Sequence, residues 1–207
     1  MRLGLIGPCQ GNKAALLARA RFLLEDLRVD RAVYLGIDGA LDEVVRAWAR
    51  EIVRGDPTDA SLWTRAIDTC GAAESETIDL FLAKERQRAR LKLLECLPHA
   101  TARSVELFEG VVSVLIHDKA HLDEEDILPA TIIVFGKSRE PIIHRVGSRV
   151  FLSPGPATHP SGGAAVLAEE GDKVLVTLFG ADGALVRQEV AAQLGASVRM
   201  SVLGATR

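Results

Sequence analysis

The chain has few aromatic residues, few cysteines and no long hydrophobic run. Aromatic residues make up 4% of its 207 residues, and there are three cysteines without a CxxC spacing. This argues against a disulfide framework or a zinc knuckle. The longest apolar runs, 111–116 and 130–135, are strand-sized and far shorter than the roughly 20 residues that a membrane helix needs. We therefore expect reduced thiols, no membrane insertion and a cytoplasmic location.

The charge balance gives no reason to expect a polyanionic partner. There are 25 Lys and Arg residues against 28 Asp and Glu, for a net charge of −3. Neither nucleic acid nor an anionic membrane surface is therefore predicted as a partner. The apolar stretch at residues 3–6 is too short for a signal-peptide core. The length predicts one domain that spans residues 1–207.

The first half of the chain has an alternating α/β pattern. The predicted strands are 3–7, 32–36 and 51–54, and the predicted helices are 13–27 and 41–50. Asn12 is a suitable N-cap for the first helix. A strand, a helix and a strand of these lengths indicate a right-handed crossover onto a parallel sheet.

Residues 60–98 are predicted to be helical. Ile78, Leu82, Ala89, Leu93 and Cys96 recur at helical spacing and form one apolar stripe. Basic residues between 84 and 92 fall on both sides of that stripe. A solvated helix flank is the favoured interpretation, and a partner-binding surface is the alternative.

Short strands dominate after Pro98. They are predicted at 111–117, 131–135, 142–145, 150–152, 164–168, 174–179 and 184–190. Residues 180–183 form a hairpin turn signal between the last two. The predicted fold is an α/β sandwich in which two packed mixed sheets are flanked by helices in a four-layer architecture.

The loops after the predicted strands carry a series of short motifs, four of which contain glycine. In chain order these are Pro8–Asn12, Gly36–Asp38, Gly55–Pro57, His117–Asp118 and Gly136–Arg139. A turn of sequence Ser-Pro-Gly-Pro follows at 153–156. This order resembles the D-x-H, G-D, G-N-H, H and G-H-x-H motifs of the calcineurin-like metallophosphoesterases. In particular, it resembles the small phosphodiesterases related to the retromer subunit, and the resemblance covers nearly the whole chain.

The resemblance implies a degenerate member of that family, because most of its metal ligands are replaced. Pro8 and Gln10 replace the aspartate and histidine of the first motif, and Ile37 replaces the bridging aspartate of the second. In the third motif, Asp56 and Pro57 replace asparagine and histidine.

The last two motifs differ in how many of the family's ligand histidines they retain. His117 stands at a ligand position, whereas Lys137 and Arg139 replace both histidines of the final motif. In the family, two metals about 4 Å apart clamp the phosphate and activate water. Cations at these positions repel a metal, so we expect neither a metal centre nor any other cofactor. One metal held by His117 with Asp38, Asp56 or Cys9 is the alternative.

Three functions are compatible with these substitutions. The favoured one is a catalytically inactive pseudoenzyme that acts as a protein-binding scaffold or regulatory module, with a protein partner or a second copy bound. The second is an anion- or nucleotide-binding module for a phosphate-containing small molecule. The third is a residual metal-dependent phosphodiesterase. No catalytic residue is assigned, and the candidate ligand-binding residues are Gln10, Asn12, Asp38, Asp56, His117, Lys137 and Arg139.

Overall fold

A computed structural model describes residues 1–71 and 74–194. Within these ranges the chain forms strands of two separate sheets. The strands are β1 Arg2–Ile6, β2 Arg31–Tyr34, β3 Leu94–Cys96, β4 Arg103–Phe108, β5 Val111–Ile116, β6 Ile132–Phe135, β7 Ile142–Val146, β8 Arg149–Ser153, β9 Ala164–Glu170, β10 Lys173–Phe179 and β11 Leu185–Gln193. The α-helices are α1 Lys13–Arg21, α2 Ala40–Ile52, α3 Leu62–Cys70, α4 Ser75–Arg90 and α5 Glu124–Ile127.

Both sheets mix parallel and antiparallel pairs. The first has the order β11-β10-β9-β1-β2-β3, and the second has the order β4-β5-β6-β8-β7. Strands β1, β2 and β3 run parallel, as do β5, β6 and β8. The remaining pairs are antiparallel, and the pair of β1 with β9 lies in the middle of the first sheet. The predicted parallel unit of β1 and β2 is therefore confirmed.

Two main apolar clusters show how the layers stack. One lies between the sheets and includes Leu5 and Val176 of the first sheet with Leu115 and Leu152 of the second. The other lies between the first sheet and the helices. A small cluster under α5 covers the outer face of the second sheet. The predicted fold class, two packed mixed sheets flanked by helices, is confirmed.

Helix α1 begins and ends at identifiable residues. The Asn12 side chain accepts a hydrogen bond from the Ala15 N–H at 3.0 Å, as predicted for an N-cap. The helix continues as a π-helical turn, Phe22–Asp26. Arg28 then adopts a left-handed conformation with φ 51°, the position after a helix that glycine usually takes. The chain thereby turns into β2.

The third strand of the parallel unit lies elsewhere than predicted. Residues 51–52 continue α2, because Ile52 extends its buried face, so the predicted strand at 51–54 is wrong. The strand beside β2 is instead β3, which lies inside the segment predicted to be helical to residue 98. Strand β4 was not predicted. Exposed and buried residues alternate along it, but one of its inward-facing side chains is the polar Glu106, so its apolar pattern is weak.

The predicted apolar stripe of α4 is not its buried face. Ile78 and Leu82 are exposed, whereas Glu85 and Arg88 are buried. Glu85 accepts two hydrogen bonds from Arg65 of α3, at 2.8 and 3.1 Å, and a third from Arg88 at 2.7 Å. This ionic contact attaches α4 to α3, which explains why hydrophobic periodicity assigned the wrong face.

The environment of Glu85 predicts a pH-dependent contribution to stability. Burial raises the pKa of this carboxyl, but hydrogen bonds from Arg65 and Arg88 outweigh burial and hold it below its ordinary value of 4.5. Its stabilising contribution is therefore complete above pH about 4.5 and is lost as the pH falls through the lower folded pKa. We expect Glu85→Gln to lower the free energy of unfolding by roughly 3 kcal/mol at pH 7. The loss should shrink below pH 4.

Urea denaturation at several pH values measures this effect. Glu125→Gln, at an exposed position of α5, is the matched control and should change little. Equal stability of Glu85→Gln and wild type at pH 7 would contradict the assigned role.

Candidate functional site

The loops that follow the parallel strands meet at one edge of the two sheets. The Leu35 N–H donates to the Ile6 carbonyl at 2.8 Å, and the Ala157 N–H donates to the Pro8 carbonyl at 2.9 Å. The Gly136 N–H donates to the Ile116 carbonyl at 3.1 Å. Loops at the carboxyl ends of parallel strands are a common place for binding sites in α/β folds. This cluster is called the strand-end site below.

Two glycines allow the loops of this site to approach closely. A Cβ atom on Gly7 would lie 1.6 Å from the carbonyl oxygen of Gly155, which no side chain can tolerate. A Cβ atom on Gly36 would lie 2.3 Å from the ring of Tyr34. These glycines therefore serve to close the loops against one another.

The hydroxyl of Tyr34 joins the first two loops. The Cys9 N–H donates to this oxygen at 3.0 Å, and the hydroxyl donates to Asp38 Oδ1 at 3.0 Å. Asp38 also accepts from the Ala40 N–H at 3.1 Å, and its Oδ2 lies 3.5 Å from Cys9 Sγ. Tyr34 and Cys9 are fully buried. A protein hydroxyl thus holds together the loops that carry the first two motifs.

Hydrogen bonds and burial together set the protonation states of Asp38 and Tyr34. Burial raises the pKa of Asp38, but donation from the Ala40 N–H, the Tyr34 hydroxyl and the Cys9 thiol outweighs it, and the pKa lies below its ordinary value. Burial is the main cause that raises the pKa of Tyr34, so its hydroxyl stays protonated. Tyr34 therefore remains the donor and Asp38 the charged acceptor at neutral pH.

The later loops are also held by internal contacts. His117 Nδ1 donates to the Leu35 carbonyl at 2.7 Å; since a carbonyl can only accept, Nδ1 carries the proton. The ammonium group of Lys137 forms an ion pair with Asp118. The backbone N–H of Lys137 donates to the His117 carbonyl at 2.7 Å. The hydrogen bond from Lys137 lowers the pKa of Asp118. Arg139 is exposed on the same loop.

The remaining predicted residues lie in different surroundings. Gln10 is exposed with φ 52°, and the Asn12 side chain is used in capping α1. Asp56 accepts from the Thr58 N–H at 3.1 Å and from the hydroxyls of Thr58 and Ser61, which lower its pKa to about 2. Asp56 is therefore anchored at the start of the helical segment. Ligand binding by the seven predicted residues stays a prediction.

The side chains at this edge do not fit a two-metal centre. The side chain of Pro8 has no atom that could bind a metal, and the side chain of Ile37 is apolar and 43% exposed. Lys137 adds a positive charge. Among residues 1–71 and 74–194, no group of three or more His, Cys, Asp or Glu side chains is placed to hold a metal ion. Of the ligands considered for a single metal, Cys9 and Asp38 are in contact, whereas His117 and Asp56 make their hydrogen bonds elsewhere.

Sequence reasoning missed the central role of Tyr34. It identified the strand that contains Tyr34 and the following Gly36, but it looked for ligands only at the motif positions. A usable signal was present, because Tyr34 is the only tyrosine in the chain and lies two residues before a motif glycine. Asp38 follows Ile37 in the second motif, and the loop turns its carboxylate toward Tyr34 and Cys9.

Comparison with known proteins supports a likeness in fold. No protein-family model and no curated protein sequence matches the chain. Among solved structures, the chain is similar to zinc-bound Vps29 from Entamoeba histolytica, with 15% identity over 93% of this chain and 100% of that one and a TM-score of 0.48. A predicted phosphoesterase from Streptococcus pneumoniae gives 11% identity over 92% and 98%, with a TM-score of 0.47.

A third similar structure is an archaeal phosphodiesterase, with 10% identity over 92% of this chain and 99% of that one and a TM-score of 0.46. Two of these three structures are described as a phosphoesterase or a phosphodiesterase, the class that the sequence motifs resemble. All three identities lie below 25% and all three TM-scores below 0.5. Nothing about the chemistry or partners of this chain therefore rests on them. Among the described residues, no helix is long and apolar enough to cross a membrane.

The Tyr34 hydroxyl provides a direct test of the strand-end site. We expect Tyr34→Phe to lower the free energy of unfolding by about 1–3 kcal/mol, because it leaves the buried Cys9 N–H without an acceptor. Urea denaturation followed by circular dichroism measures the loss. Asp38→Asn keeps an oxygen acceptor for the hydroxyl and should cost less. A Tyr34→Phe protein as stable as wild type would show that the hydroxyl does not hold these loops together.

Proposed function

We propose that this chain is a phosphoesterase-fold protein that acts as a protein-binding scaffold or regulatory module and not as a two-metal hydrolase. The observation that carries the proposal is the Tyr34 hydroxyl, which links Cys9 and Asp38 across the first two loops. The contacts of His117 with Leu35 and of Lys137 with Asp118 point in the same direction. Polar groups of the strand-end site thus hold its loops in place.

The surface of α3 supports a role in protein binding. Trp63 is 77% exposed and Ile67 is 70% exposed, and their spacing of four residues puts both on one face of the helix. Tryptophan is among the residues that contribute most to protein interfaces. This pair, called the α3 face below, is the best candidate for contact with a protein partner.

Anion binding by Lys137 and Arg139 is less well supported. Lys137 already has an anionic partner in Asp118. An incoming phosphate would have to compete with that carboxylate for the ammonium group. This leaves Arg139 as the cation of the pair that can bind an anion without such competition.

Hydrolysis of bis-p-nitrophenyl phosphate with added Mn²⁺ tests whether the protein lacks phosphodiesterase activity. We expect the purified protein to release p-nitrophenol no faster than a protein-free control, because the donor set does not fit two metals. His117→Ala and the control His121→Ala, at an exposed histidine nearby, should give the same background rate. A rate that disappears in His117→Ala but survives in His121→Ala would overturn the proposal.

Affinity capture with matched variants tests the scaffold role. We expect the double variant Trp63→Ser, Ile67→Ser to lose partners that wild type retains, because the apolar contact area is removed. Leu128→Ser is the matched control, since Leu128 is also 70% exposed but lies beside α5. Quantitative mass spectrometry of the captured proteins and sedimentation of the pure protein give the readouts. Identical captured proteins and a monomer in every case would count against the α3 face.

A further inference from the structure

A cleft lies between the π-helical turn after α1, helix α2 and helix α4. It has a volume of about 480 Å³, which is within the usual size range of small-molecule sites. The residues that line it include none of the strand-end site. Its apolar floor is formed by Leu24, Trp48 and Leu91, with Ala83 at the side.

Three guanidinium groups surround this floor. Arg28 follows the π-helical turn, and Arg86 and Arg90 lie one turn apart on α4. Arg90 donates one hydrogen bond to the Leu24 carbonyl at 2.8 Å, which leaves further N–H groups available. Within the described part of the chain, Arg28 and Arg86 have no hydrogen-bonding or ion-pair partner.

Acidic groups at the cleft compensate this charge only in part. Glu25 is the carboxylate that lines it, and it accepts a hydrogen bond from Gln87 at 3.2 Å. Like charges one turn apart on a helix, such as Arg86 and Arg90, destabilise it. The left-handed backbone of Arg28 is also unfavourable for a residue other than glycine. A bound anion would offset the mutual repulsion of these cations.

We infer that this cleft binds a small phosphate monoester with an apolar ring or chain. Guanidinium groups bind phosphate through paired, charge-assisted hydrogen bonds, and two or three of them match a dianion. The floor of Leu24, Trp48 and Leu91 suits the apolar part of such a molecule. This site goes beyond the scaffold role and does not depend on it. It also places anion recognition away from Lys137 and Arg139.

Titration calorimetry with phenyl phosphate as the probe tests the inference. We expect wild type to bind phenyl phosphate more tightly than inorganic phosphate and not to bind phenol. Arg86→Gln should weaken binding at least about tenfold, since one charge-assisted pair is lost. Arg28→Gly should do the same without a lower Tm, because glycine accepts the left-handed backbone at this position.

Arg50→Gln is the matched control, because it removes an exposed guanidinium of α2 that does not line the cleft. It should bind phenyl phosphate as wild type does. Absence of binding to wild type, or equal binding by wild type, Arg28→Gly and Arg86→Gln, would overturn the inference. A loss confined to Arg139→Gln would place the anion in the strand-end site. Inorganic phosphate that binds as tightly as phenyl phosphate would overturn the apolar part of the ligand.

Discussion

The arrangement of the strand-end loops depends on one shared hydroxyl. Tyr34 is buried, and its oxygen accepts from the first loop while its proton is donated to the second. A buried backbone N–H needs an acceptor, so the position of Cys9 is coupled to that of Tyr34. Gly36 provides the room for the ring that carries this hydroxyl. Each of these requirements falls on a different residue.

The same principle extends to the other loops. Polar side chains of the strand-end site bind one another or the backbone. His117 is fixed by a carbonyl and Lys137 by a carboxylate. Such contacts between polar groups stabilise a loop arrangement. The loops of the strand-end site are therefore held in place by contacts within the protein itself.

Sequence patterns predicted the fold better than they predicted the site. Short apolar runs and helix capping identified β1, α1 and β2, because those patterns follow from local geometry. The ionic face of α4 was not predictable in this way, since Glu85 is buried only because Arg65 of another helix meets it. Tyr34 escaped for a similar reason, because its partners lie 25 residues before it and four residues after it. Long-range polar contacts leave no periodic trace in a sequence.

The polar attachment of α4 has a consequence for motion. A helix that packs through Glu85 and Arg88 exposes charged groups to water when it separates, and water solvates them well. Opening of such a segment costs less than opening of an apolar core, so it can occur as a local event below global unfolding. Amide hydrogen exchange should then divide the chain into two kinetic classes. The helical segment would exchange in advance of the sheets, as a cooperative unit of its own.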